Sequence, residues 1–130
     1  MDEHRRIAAG AAWYLQQQLD FDKRLVRFRY RSLQPHFTGR SCLELGPAEG
    51  IMTEWLVQEF ERVTVVDAAR ELLDAIPDHL RLRKVCRLFE EFDPGERFDT
   101  VLLEHILEHV LDPADLLRRA AGWVAPGGRL

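Results

Sequence analysis

The chain has 130 residues, of which 46% are apolar, and carries 18 Lys and Arg against 22 Asp and Glu for a formal charge of −4. That length suits one domain with a single core, and that composition excludes a disordered chain. The modest negative charge excludes a global electrostatic hold on nucleic acid or anionic lipid, and no apolar run nears the ~18 residues of a membrane span. Met1-Asp2-Glu3-His4-Arg5-Arg6 lacks the apolar stretch of a secretory signal. Cys42 and Cys86 are far apart and form no C-x-x-C pair, so they read as buried free thiols in a reducing cytoplasm.

In chain order, Ile7, Ala8, Ala11, Leu15 and Leu19 recur near helical spacing and predict a helix over 3–19. A second helix is expected from Lys23 to about Gln34, with Asp22 as N-cap and Pro35 just beyond. Its Lys23, Arg24, Arg27, Arg29 and Arg31 form a basic cluster, read as a solvated face, with steering of an acidic substrate as the alternative. After the loop Phe37–Arg40 the pattern changes. Ser41–Leu45 is short, mostly apolar and followed by glycine, as a buried parallel strand is. A turn, Gly46–Gly50, leads to a helix over Ile51–Phe60 with Trp55, Leu56 and Phe60 inward.

Val63–Val66 reads as a second strand ending at Asp67, and Ala69–Ile76 as a short helix stopped by Pro77. Leu82–Cys86 alternates with Arg81, Arg83 and Arg87 and suggests an edge strand. Phe98–Leu103 is the fourth strand. Asp112 caps a last helix with Pro113 at its first position, ending near Trp123, and Pro126-Gly127-Gly128 reads as a turn. Strands alternating with helices call for a parallel sheet, whose ligands sit beyond the carboxyl ends of the strands where the strand order reverses.

Two features point to a ligand. In Glu44-Leu45-Gly46-Pro47-Ala48-Glu49-Gly50, Gly46 lets a ligand approach the backbone, and Gly50 lets the following helix pack close. Asp67 ends the second strand 21 residues after Gly46, where a carboxylate can accept both hydroxyls of a ribose. Glu44 as a turn cap and Asp67 as an ordinary helix N-cap are the plainer alternatives. A dinucleotide fingerprint wants G-x-G-x-x-G, but Ala48 and Ile51 stand at its second and third glycines. A pyrophosphate loses its closest backbone approach there, whereas a nucleoside without phosphate tolerates the looser turn.

These residues resemble the class I methyltransferases. Leu43–Gly50 is similar to their first motif, E-x-G-x-x-x-G, and Val65-Val66-Asp67 to their second. Phe98–Leu103 followed by Leu107-Glu108-His109-Val110 is similar to the fourth-strand motif, and Pro126–Leu130 to the turn leading into strand five. The resemblance covers residues 37–130 and implies S-adenosyl-L-methionine as cofactor. It implies that Gly46 and its turn, with Pro47, Ala48 and Gly50, hold the methionine end, with Glu44 in support. Asp67 holds the ribose, and Ala68 with Leu88-Phe89-Glu90 borders the adenine. Phe89 as plain core and Glu90 as a solvated acid are the alternatives.

Glu104-His105-Ile106-Leu107-Glu108-His109 follows the fourth strand. His105–His109 spells H-x-x-E-H, but a zinc-protease helix and its third ligand are missing. Some RNA and quinone O-methyltransferases resemble the segment in a Glu-x-x-Glu-His metal set, where this chain has His105 at the first Glu. No metal ligand is therefore assigned. Glu104 is placed at the cofactor side. His105 is the candidate catalytic base, because an imidazole can take an acceptor's proton near neutral pH. A structural or cofactor-bordering wall is its alternative, and His109 reads as structural.

The expected architecture is α/β: a Rossmann-like parallel sheet with flanking helices, truncated after its fourth strand. Residues 1–36 are a helical segment preceding a partial methyltransferase domain at 37–130. The expected function is S-adenosylmethionine-dependent methyl transfer to a small-molecule acceptor, with a non-catalytic nucleoside-binding or interaction module as the alternative. Neither nucleic acid nor membrane is expected as a partner. The fourth strand, apolar at Val101-Leu102-Leu103, is expected at an uncovered edge that drives self-association, and the chain alone is expected to be inactive.

Overall fold

A computed structural model describes residues 2–16 and 20–130. Two helices come first, α1 (Glu3–Gln16) and α2 (Asp20–Leu33). They are followed by β1 (Ser41–Leu45), α3 (Ile51–Glu59), β2 (Arg62–Asp67), α4 (Arg70–Ala75) and β3 (Leu82–Cys86). β4 (Phe98–Leu102), α5 (Pro113–Gly122) and β5 (Val124–Arg129) complete the chain, with short 3-10 turns at Gln34–His36, Phe89–Glu91 and Leu107–His109. The strands form one sheet in the order β3-β2-β1-β4-β5, every pair parallel.

Position in the sheet explains the composition of each strand. β1 lies between β2 and β4 and is buried at all five residues, which favours apolar side chains on both faces, and Glu44 is its one carboxylate. β3 is the outer strand on one side, and its partial burial matches the arginine alternation read from the sequence. One face packs Leu56 and Met52 of α3, Phe60 just after it and Leu73 of α4 against Cys42, Val63 and Val65, with Val26, Tyr30 and Leu33 of α2 added at the rim. The other face packs Leu116 and Ala120 of α5, with Trp123 and Phe92, against Leu43, Leu45, Val66 and Val101. Asp112 caps α5 as expected, its Oδ1 accepting from the Asp115 amide at 2.9 Å with Pro113 at the first turn.

Three expectations are corrected. The sheet does not stop at the fourth strand: Val124–Arg129 pairs with β4, Phe98 opposite Val124 and Thr100 opposite Arg129, with an irregularity between. Proline and two glycines read as a turn, but an outer strand tolerates a residue without an N–H and a bulge absorbs the glycines. β4 is consequently interior, its Val101 and Leu102 only 1% and 8% exposed, so it offers no open apolar edge for self-association. Finally, α2 already includes Asp20, which places Asp22 inside the helix and not at its cap. The end of the first predicted helix, with Leu19, falls outside the described residues.

Candidate cofactor site

A cavity of about 550 Å3 opens at the carboxyl ends of β1, β2 and β4, on the reversal in strand order between β1 and β4. The turn after β1 contributes Gly46, Pro47 and Ala48, β2 contributes Asp67 and Ala68, and the turn after β3 contributes Phe89 and Glu90. Glu104 and His105 follow β4, and Glu44 reaches in from β1. All the site residues expected from the sequence are thus brought together, except Gly50.

Gly50 belongs to the packing beneath. Its φ is +79°, and a Cβ there would come within 2.6 Å of Ile76 Cγ1, so its absence lets α3 start against the end of α4. Gly46 sits at the floor with φ +68°, its N–H donating to Val66 O at 2.8 Å. Two residues with side chains, Ala48 at φ +50° and His105 at φ +55°, also adopt the left-handed region, and both line the cavity. Such backbone costs on the order of 1–3 kcal/mol and concentrates at functional sites.

The carboxylates differ in environment. Glu44 is 4% exposed and accepts from Thr53 Oγ1 at 2.5 Å. Burial pushes its carboxyl up to about 7; the Thr53 hydroxyl opposes this, and the charges of Glu104 and Asp67 add to it. Burial also raises Asp67, opposed by the amides of Ala69 and Ala68. Asp67 Oδ1 accepts from the Ala69 amide at 2.8 Å, just before α4, and among the described residues no hydrogen bond reaches its second oxygen. The capping alternative and the ligand reading are therefore compatible in one carboxylate.

His105 is 62% exposed, with Nδ1 3.1 Å from Glu108 Oε1 and Nε2 3.6 Å from Glu104 Oε1. Among the described residues no group of three or more His, Cys, Asp and Glu side chains is placed to hold a metal ion.

The residues that sequence reasoning missed come from the N-terminal helices. Arg6 and Ile7 of α1 and Leu25, Val26 and Arg29 of α2 roof the cavity. Arg29 forms an ion pair with Glu104 across it, both side chains mostly buried. Lys23, Arg24, Arg27 and Arg31 are exposed, as a solvated face should be, so the basic cluster divides. The signal was present: Arg29 shares a helical stripe with Val26 and Leu33, three and four residues away, and not with Arg24, Arg27 and Arg31.

Fold and site together define a Rossmann-like domain with a nucleoside-sized cavity at its switch point. A family profile described as a methyltransferase domain matches residues 15–130, and the chain belongs to that family, as its motifs led us to expect. A ubiquinone biosynthesis O-methyltransferase of Coxiella burnetii is 31% identical over 111 residues, covering 81% of this chain and 47% of the relative. One from Xanthomonas euvesicatoria pv. vesicatoria is 33% identical over 114 residues, with the same coverage. The chain spans about half the length of these curated relatives. Among solved structures, a DhpI–SAH complex superposes with a TM-score of 0.83 at 22% identity, covering 97% of this chain and 64% of that one. The N-methyltransferase NodS from Bradyrhizobium japonicum gives 0.74 at 22%, covering 96% and 67%.

Proposed function

We propose that the cavity binds S-adenosylmethionine and that the protein transfers its methyl group to a small-molecule acceptor. The observation that carries this is the convergence of the Gly46 turn, the buried Glu44 and the half-engaged Asp67 at one switch point. Asp67 takes the ribose hydroxyls with the oxygen that Ala69 leaves unused. The Gly46–Ala48 turn and Glu44 receive the methionine end, and Arg29, now paired with Glu104, adds a cation for its carboxylate. Ala68, Phe89 and Glu90 border the base.

The cofactor, when bound, supplies a methyl group on an already activated sulfonium. What this chain contributes is alignment, exclusion of water beneath the α1–α2 roof, and His105 as a base at the open side. Curated relatives named O-methyltransferases make oxygen acceptors the first to try. Free thiols at Cys42 and Cys86 agree with a reducing cytoplasm as the compartment.

Asp67→Ala tests the ribose assignment. Calorimetry with S-adenosylhomocysteine is expected to show affinity weakened by roughly 1.5–3 kcal/mol, the scale of hydrogen bonds to a charged group. Unchanged affinity would leave Asp67 as a cap for α4 and nothing more.

A further inference from the structure

The wall that faces the base is a short turn, Leu88–Phe92, after β3. Leu88, Phe89 and Glu90 line the cavity from it. Its internal support is slight: Glu91 N donates to Leu88 O at 3.1 Å, and Phe92 N to Phe89 O at a long 3.3 Å. No side chain caps the 3-10 turn Phe89–Glu91. From the far side, away from the cavity, Arg119 of α5 reaches under it. Arg119 Nη1 donates to Phe89 O, and Nη2 donates to Phe92 O at 2.6 Å. The guanidinium thus spans the beginning and the end of the turn with a rigid fork. Its carbon lies 5.4 Å from the centroid of the Trp123 ring, and that ring packs edge-on against Phe92 at 5.2 Å.

The arrangement is unusual in how a charge is used. The hydrogen bonds of Arg119 among the described residues all go to backbone carbonyls of this turn, and no carboxylate pairs with it. An arginine held only by two carbonyls and an aromatic face gains charge-assisted hydrogen bonds that lysine's single ammonium cannot reproduce as a fork. It does not itself line the cavity.

We propose that Arg119 is a positioning residue for base recognition: it locks the Leu88–Phe92 turn so that Leu88, Phe89 and Glu90 are presented to the purine in one geometry. This rests on the reading of the cavity as an adenosyl site. The consequence is that Arg119 sets selectivity among bases more than overall stability.

The experiment uses the whole chain, with Arg119→Met and Arg119→Lys. Calorimetry compares S-adenosylhomocysteine with S-inosylhomocysteine, which differs only in the base. The unaltered chain is expected to prefer the adenine ligand. Arg119→Met is expected to lose about tenfold or more of that preference, mainly through weaker adenine binding, and Arg119→Lys to fall between. Hydrogen exchange without ligand supplies a second readout. Amides of residues 88–92 are expected to exchange at least tenfold faster in Arg119→Met, while those of β1 and β2 keep their protection. An unchanged selectivity ratio in both variants, or unchanged exchange in the turn, overturns the positioning role. Failure of the unaltered chain to bind S-adenosylhomocysteine overturns instead the adenosyl reading on which the proposal rests.

Discussion

Gly46→Val is expected to abolish measurable binding of S-adenosylhomocysteine, a loss of at least a hundredfold, and to lower stability by about 2–4 kcal/mol. Gly46 has φ +68°, a region costly for any side chain and most costly for a β-branched one. A Cβ added here would also stand 2.6 Å from Ile106 Cδ1. Ile106 is 3% exposed and itself lines the cavity, so where its Cδ1 yields it turns into the ligand's space. The turn cannot slide, because the Gly46 amide is pinned to Val66 O on the neighbouring strand. In the sequence, Gly46 reads as the place where a ligand approaches the backbone. The structure places the first collision with Ile106, and the cavity floor shifts as a result. Gly46→Ala keeps the backbone strain and the Cβ contact with Ile106 and leaves out only the two γ-methyl groups. Urea unfolding and calorimetry measure both, and a Val variant with native affinity would show that the ligand binds elsewhere.

The second large effect is a pH dependence set by Glu44. Its carboxyl titrates at about 7 in the folded chain against an ordinary 4.5. Between those values the folded state holds a proton that the unfolded state has released, so unfolding releases it. The favourable term is therefore complete below pH 4.5 and is lost as pH rises through 7, by roughly 3 kcal/mol. Physically, an ionised carboxylate is left in a cavity wall that water reaches poorly, facing the charges of Asp67 and Glu104. Glu44→Gln keeps an acceptor for Thr53 but cannot ionise. Its stability relative to the unaltered chain is expected to rise by roughly 2–3 kcal/mol between pH 5 and pH 8. Equal differences at both pH values would mean that Glu44 does not carry the buried proton. A cationic ligand next to Glu44 favours the ionised form, so binding at pH 6 should release a proton, visible as a buffer-dependent binding enthalpy.

The first four strands were legible because burial on both faces of a parallel sheet forces short apolar runs, and Ser41–Leu45 and Val63–Val66 leave no other reading. The floor of the site was legible for a related reason. A glycine needed at positive φ and an acid at a strand end are local demands, written at one position each. β5 was not, since Pro126-Gly127-Gly128 has the chemistry of a turn and only its place at the sheet's outer edge permits a strand. Arg29 was hidden among five basic residues of one helix. Which of them faces inward depends on how α2 lies over the sheet, a tertiary fact that only its helical phase hinted at. Arg119 is further still from legibility: nothing in Leu116–Ala120 says that one of two adjacent arginines turns toward a loop thirty residues earlier. Gly50 was read both as a packing glycine and as part of the cofactor turn; its close packing against Ile76 agrees with the first reading, and it does not line the cavity.

The proposed ligand of this switch point is S-adenosylmethionine and not a dinucleotide. Ala48, at the position where a pyrophosphate fingerprint has its second glycine, lines the cavity. Calorimetry of the 130-residue chain with S-adenosylmethionine, S-adenosylhomocysteine and NAD, side by side at pH 8, measures this most directly. The two adenosyl ligands are expected to bind with one-to-one stoichiometry and NAD to bind at least a hundredfold more weakly. Tighter binding of NAD, or no binding of either adenosyl ligand, would rule out an S-adenosylmethionine site at this switch point.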